Sequence, residues 1–438
     1  MKHLLACIAA AVALLAPAAS ADCPPTLETF TRGFTGTGFA DGAVFDAVVW
    51  DDGSGPAMYV AGGFRAPAMP SGRLVRYRPD EGWTAVGNGV DFTAYALAVH
   101  DDGSGEALYV AGNFSTIESL TVNYIARWDG SAFSTVGGGT NNQITALEVF
   151  DDGSGPALYA AGEFTEAGGQ PASHIARWDG AQWSALGAGI ERGSSLDPFT
   201  VRDMHVHDDG TGPALYVGGG FWAAGDIITP GLARWTASRG WESIGGLEYE
   251  TRSVWSIDSF DPGTGSRLYI GGNFRTVQGV FVQGGIAQWN GTVWSGLPTP
   301  LPGFHTFCLR NIEVFGTRYL YFAGTFSTLP GETILSRWNG STFQSAMGYG
   351  YDTINNIQMI ESFPTGADPL IFLGTSARGL STIPPFLQVF DGNIWRVPRQ
   401  GLAGTKAHAL WVSEPHLGGP ALFAAGTALY DNRGSSNG

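Results

Sequence analysis

Residues 151–189 read DDGSGPALYAAGEFTEAGGQPASHIARWDGAQWSALGAG, and most of the chain consists of imperfect copies of this stretch. Aligned on the glycine that ends the first apolar run, the copies fall at Gly62, Gly112, Gly162, Gly219, Gly272, Gly324, Gly374 and Gly426, separated by 50, 50, 57, 53, 52, 50 and 52 residues. In the third copy ITALEVF (144–150) alternates as a strand, DDGSG supplies a tight reversal, and LYAAGEF (158–164) is a second strand. After a loop over 165–173 come IARW (175–178), an Asp179-Gly180 turn and WSAL (183–186). Each copy is thus a four-stranded antiparallel meander, which cannot bury both faces alone. A period near fifty built this way predicts an all-β fold, a β-propeller of eight four-stranded blades, with seven the rival count.

The eighth copy has strand candidates at 408–413 and 421–426, after which only twelve residues remain. LETFTRG (27–33) lines up with fourth strands such as FSTVG (133–137) and would close the ring from the N-terminal end, removing exposed sheet edges. Trp128, Trp235, Trp289 and Trp338 recur on third strands, and Trp83, Phe133, Trp241, Trp294, Phe343 and Trp395 on fourth strands. Repetition at equivalent positions reads as filler between blades, each ring burying about 150–250 Å². Arg127, Arg177, Arg234 and Arg337, each before a tryptophan, are expected to stack on an aromatic ring or pair with a turn aspartate.

Residues 1–21 hold Lys2 and His3, an apolar run over 4–15 and Ala19-Ser20-Ala21, the pattern of a secretory signal cleaved near Ala21. A single β-propeller domain over 22–438 is then expected to be secreted, extracellular or periplasmic. Without Lys2 the chain has 22 basic and 39 acidic residues, a net charge of −17, which disfavours nucleic acid and anionic membrane as partners. No other run approaches the roughly 18 apolar residues of a membrane span. Cys23 and Cys308 remain after cleavage and are expected unpaired rather than bridged, because they fall toward opposite faces of the ring.

The string LYVAGxF … IARWDG … WSxLG resembles kelch-type propeller repeats, and more narrowly the ectodomain repeats of fungal cortical landmark proteins and their secreted bacterial relatives. The resemblance covers residues 45 to about 401 and implies the fold more firmly than any activity, since such rings host oxidases, lectins and adaptors. Galactose oxidase is the enzymatic relative it brings in. The copper site that this implies needs a cysteine cross-linked to a tyrosine plus paired histidines, a set this sequence does not assemble; Cys308 is the only cysteine within the repeats.

Within a meander the first-to-second and third-to-fourth turns share one face of the ring. The second-to-third loops and the links between blades share the other, and these vary in sequence, as binding loops on a rigid scaffold do. Trp222, Ile227, Ile228, Val280 and Phe281 lie in or beside them as a candidate recognition patch, or as loop residues packed on their own blades. Counting back from the end of each first strand places Glu148, His205, Asp258 and Glu313 at one level of the central channel, where they could hold a cation such as calcium or act as acid and base. Hydrogen bonding to neighbouring blades is the structural reading of the same residues and the one expected. The Asp-Asp-Gly repeats are expected to be hairpin turns rather than calcium loops, and no cofactor is expected. The leading reading is a non-enzymatic binding or scaffold module for an extracellular protein or glycan, using the variable-loop face. The alternative is a secreted hydrolase or lyase using the channel carboxylates.

Overall fold

The structure is a computed structural model that describes residues 43–64, 73–78, 81–193, 200–248, 252–297, 305–314, 316–325, 334–345, 357–364, 370–375, 387–390, 395–396, 406–413 and 421–427. It holds seven four-stranded antiparallel sheets, blades 1 to 7, in meander order. Their first strands are Val44–Asp51, Ala94–Asp101, Ile144–Asp151, Val201–Asp208, Val254–Phe260, His305–Val314 and Ile357–Phe363. Each packs on the first strand of the next blade, and Ile357–Phe363 packs back on Val44–Asp51. The fold is a β-propeller.

Second strands such as Pro156–Gly162 are buried along nearly their whole length because a neighbouring blade covers each face. The alignment glycine has a steric cause. A Cβ on Gly62, Gly112, Gly162, Gly219 or Gly272 would stand 2.1–2.3 Å from a carbonyl oxygen of the residue preceding its own first strand.

An eighth four-stranded blade is not built among the described residues. Met359 and Phe363 of blade 7 fill the face of blade 1 made by Val44, Ala47 and Tyr77, with Tyr77 and Phe363 rings 6.1 Å apart, and so occupy the surface an eighth blade would need. The eighth copy contributes the hairpin Lys406–Ser413 with Ala421–Thr427. Residues 27–33 and the signal sequence lie outside the described residues.

The blade aromatics do separate blades, and they also tie them. Trp183, Trp241 and Trp294 donate Nε1–H to Val136, Leu186 and Ile244 carbonyls of the preceding blade at 3.1, 2.9 and 2.6 Å. The first aspartate of each DDGSG turn caps glycine N–H groups, as Asp151 does for Gly153 and Gly155. The second reaches into the blade, so that Asp152 receives the Tyr159 hydroxyl at 3.0 Å. Arginine partners split as expected: Arg234 pairs with Asp209 at 2.6 Å, while Arg337 lies 4.4 Å over the Tyr319 ring.

Candidate functional site

Every first strand carries a β-bulge at its start, between residues 44 and 46, 94 and 96, 144 and 146, 201 and 203, 254 and 256, and 306 and 308 in blades 1 to 6. A bulge re-aims the extra side chain, and here the extra residues Phe45, Tyr95, Thr145, Arg202, Trp255 and Phe307 line the mouth of the channel on the variable-loop face. Phe45 and Tyr95 meet edge to face at 5.1 Å, and Trp255 stacks on Phe307 at 5.4 Å with 6° between planes. The Arg202 guanidinium lies 5.9 Å from the Trp255 ring. By ring order the two aromatic pairs, on blades 1 and 2 and on blades 5 and 6, stand across the mouth from each other.

Below the collar the channel opens into a cavity of about 950 Å³. Ala96 and Ala146 leave room in its wall, and charged residues from blades 1, 3, 4, 6 and 7 line the rest. In the first tier Asp46 accepts the Leu97 and Ala47 N–H groups at 2.7 and 2.8 Å, and Asp203 accepts those of Ile257 and Met204 at the same distances. Each staples its own blade to the next. The second tier is the level opposite the buried tyrosines of the second strands: Glu148 opposite Tyr159, His205 opposite Tyr216, Asp258 opposite Tyr269 and Arg310 opposite Tyr321, with Glu361 opposite Phe372.

Glu313 is not in this tier, and the expectation that it joins Glu148, His205 and Asp258 is corrected. Blade 6 lacks a DDGSG stretch, so Phe315 stands nine residues before its alignment glycine where Phe150 stands twelve before its own, and Glu313 pairs with Arg318 near the hairpin end. There the two form an exposed ion pair at 3.2 Å. Counting from the strand end therefore slipped by three. Counting back from Gly324 to Tyr321 and across the ladder finds Arg310, so a cation stands where an acid was expected.

Arg310 forms an ion pair with Glu361 while leaving 47% of its side-chain surface open to the channel. Asp258 accepts the Asn311 N–H of the next blade at 2.7 Å and the Ser259 N–H at 2.6 Å. His205 Nε2 lies 3.0 Å from Ser259 Oγ and 3.8 Å from Asp258. Among the described residues nothing donates a hydrogen bond to Glu148, and no three His, Cys, Asp or Glu side chains stand together as a metal-holding group.

Burial, reinforced by Asp203 and opposed by Arg310, pushes the Glu148 carboxyl up to about 8. Burial likewise raises Asp46 and Asp203 to about 7 against their N–H donors. Burial lowers His205. A carboxyl whose pKa is raised in the folded state contributes no penalty below its unfolded value of about 4, and destabilises progressively as pH climbs through the folded value. Glu148→Gln should therefore match the parent at pH 4 and exceed it by about 2 kcal/mol at pH 9 in urea unfolding. An equal gain at both pH values would mean that ionisation of Glu148 is not the cause.

The second-to-third loops of blades 2 to 5 prove alike. The segments Thr116–Ile117 with Leu120–Thr121, Glu166–Ala167 with Gln170–Pro171, Phe221–Ala224 with Ile227–Ile228, and Thr276–Val277 with Val280–Phe281 are each a small hairpin. Two-residue strands carry too little periodicity to be read from sequence. Gly225, at the turn of the third, packs against the Trp241 ring of the fourth strand. Trp222, Ile227, Ile228, Val280 and Phe281 thus stand over the outer strands of blades 4 and 5, with Ile228 65% and Phe281 66% exposed, and none of them lines the channel. Cys308 is a buried free thiol below the collar; Cys23 lies outside the described residues.

No protein-family model and no curated protein matches the sequence. Among solved structures, an ancestral GH74 enzyme is similar with a TM-score of 0.49 and 14% identity, over 89% of this chain and 50% of that one. The GH74 xyloglucanase from Xanthomonas campestris gives 0.40 and 16%, over 89% of this chain and 58% of that one. This chain therefore spans about half the length of either enzyme. The Aleuria aurantia lectin, a six-bladed β-propeller that recognises fucose, gives 0.37 and 14%, over 70% of this chain and 96% of the lectin. The expectation of a non-enzymatic module is corrected by these findings, because enzymes stand among the similar structures and the fold gives no ground for ruling out catalysis. Among the described residues no helix is long and apolar enough to cross a membrane.

Proposed function

We propose that the mouth of the channel is a carbohydrate-binding site in an exported propeller of kelch type, released after cleavage near Ala21. The observation that carries this reading is the collar of Phe45, Tyr95, Trp255 and Phe307 above a polar cavity. Aromatic faces receive the C–H faces of sugar rings, and a few placed polar groups beneath them receive hydroxyls. The hydroxyl partners are the carboxyls of Asp46, Glu148 and Asp203.

Trp255→Ala and Tyr95→Ala should each weaken glycan binding about tenfold, equivalent to about 1.4 kcal/mol. A glycan array with the protein lacking its signal sequence, followed by titration of tryptophan fluorescence, reads this directly. Unchanged affinity in the double variant would remove the collar from the site.

Cleavage is a second reading, favoured by one feature: burial in the channel raises the Glu148 carboxyl to about 8, as a general acid needs. Glu148 would give its proton to the glycosidic oxygen as the C–O bond breaks, and water would add its hydroxyl to the other product and return its second proton to Glu148. Release of reducing ends that falls at least a hundredfold in Glu148→Gln, with binding retained, would establish it; no release from any bound glycan would dismiss it.

A further inference from the structure

We infer that the channel selects an amine-bearing sugar, a hexosamine unit, whose ammonium group is received by Glu148. The inference rests on the carbohydrate reading and names the substrate class. Asp46, Glu148, Asp203 and Glu361 line the cavity and Asp258 shares the tier of Glu148, and all of them but Glu148 already hold a hydrogen-bond or ion-pair partner. Glu361 is held by Arg310. Asp46, Asp203 and Asp258 each accept two backbone N–H groups, one from the next blade. Glu148 has neither a cation nor a donor among the described residues.

The groups around Glu148 make that position electrostatically specific. Asp203, Asp258 and Asp46 repel its charge, Arg310 attracts it, and the neighbouring strand of blade 4 adds His205, which burial keeps neutral. On the other flank blade 2 places Ala98 at the same level, opposite Tyr109, so no charged side chain stands at that position. A neutral hydroxyl would leave Glu148 protonated, whereas an amine can take that proton: the O–H bond of Glu148 breaks, an N–H bond forms on the sugar, and the ion pair remains. The negative field of three further carboxyls favours a cation in the cavity, and the rings of the collar add attraction for a cation passing over their faces. Arg310, spent on Glu361, sits on the far side of the tier.

The experiment is calorimetric titration of the wild-type chain, without its signal sequence, at pH 6.5 with two probes: a tetramer of β-1,4-linked glucosamine and its fully N-acetylated counterpart. The amine tetramer is expected to bind at least tenfold more tightly. In Glu148→Gln the two affinities should fall within about threefold of each other, with circular dichroism and unfolding checking that the variant is folded. Equal or tighter binding of the acetylated tetramer by the wild type would overturn the inference while leaving the carbohydrate reading in place. Binding of neither tetramer, nor of any glycan on the array, would overturn both.

Discussion

Asp209→Ala should cost about 3–5 kcal/mol of stability, the range for stripping one partner from a buried charge pair. Asp209 opens the turn between the first two strands of blade 4, and its side chain is 2% exposed. It accepts Arg234 Nη1 at 2.6 Å, the Thr211 N–H and hydroxyl, and Trp289 Nε1 of blade 5 at 3.3 Å. Burial alone would raise its carboxyl, yet Thr211, Trp289, Tyr216 and Arg234 together hold it below the ordinary value. Removing it leaves Arg234, 8% exposed, with Glu242 as its remaining carboxylate. Because the folded-state pKa is lowered, this stabilisation is complete above pH about 4 and is lost as pH falls further. The same change at Asp152 should cost less, since Arg177 approaches only to 3.5 Å and is more exposed. Chemical denaturation of both variants at pH 7 checks the order; a loss below 1 kcal/mol at Asp209 would show that the network is not a stabilising one.

Trp241→Ala should cost a similar 3–5 kcal/mol, by a different route. The ring is 7% exposed in the core cluster shared by blades 3 and 4, with Trp235 5.3 Å away and Nε1 bonded to the Leu186 carbonyl. Truncation opens a cavity between two blades and orphans that carbonyl. Trp241→Phe keeps most of the packing and gives up the hydrogen bond, so it should lose about 1 kcal/mol beyond its volume change. Equal losses in the two variants would mean that packing contributes little and the hydrogen bond dominates.

The sequence by itself determined the repeat, the four strands of each blade, the Asp-Gly turns and the aromatic filler. These follow from signals confined to about forty residues: alternation, turn chemistry, and a glycine placed where a carbonyl lies within 2.3 Å of its absent Cβ. Even the split roles of Arg234 and Arg337 were legible as a pair of alternatives.

What faces the channel was decided only by the tertiary structure. Arg310 entered the charged tier because blade 6 lacks a DDGSG stretch and is three residues shorter between its first-strand phenylalanine and its alignment glycine, so a count from the strand end misses the level that the ladder keeps. The collar of Phe45, Tyr95, Trp255 and Phe307 depends on bulges that an alternating pattern does not announce. Asp46 and Asp203 look like surface acids in sequence, yet each bonds an N–H about fifty residues away in the next blade. The closing contact between blades 7 and 1 joins residues some three hundred positions apart, Tyr77 and Phe363. In each case the side chain's environment is supplied by a neighbouring copy, and the period of the repeat is the same whether a ring closes after seven units or eight.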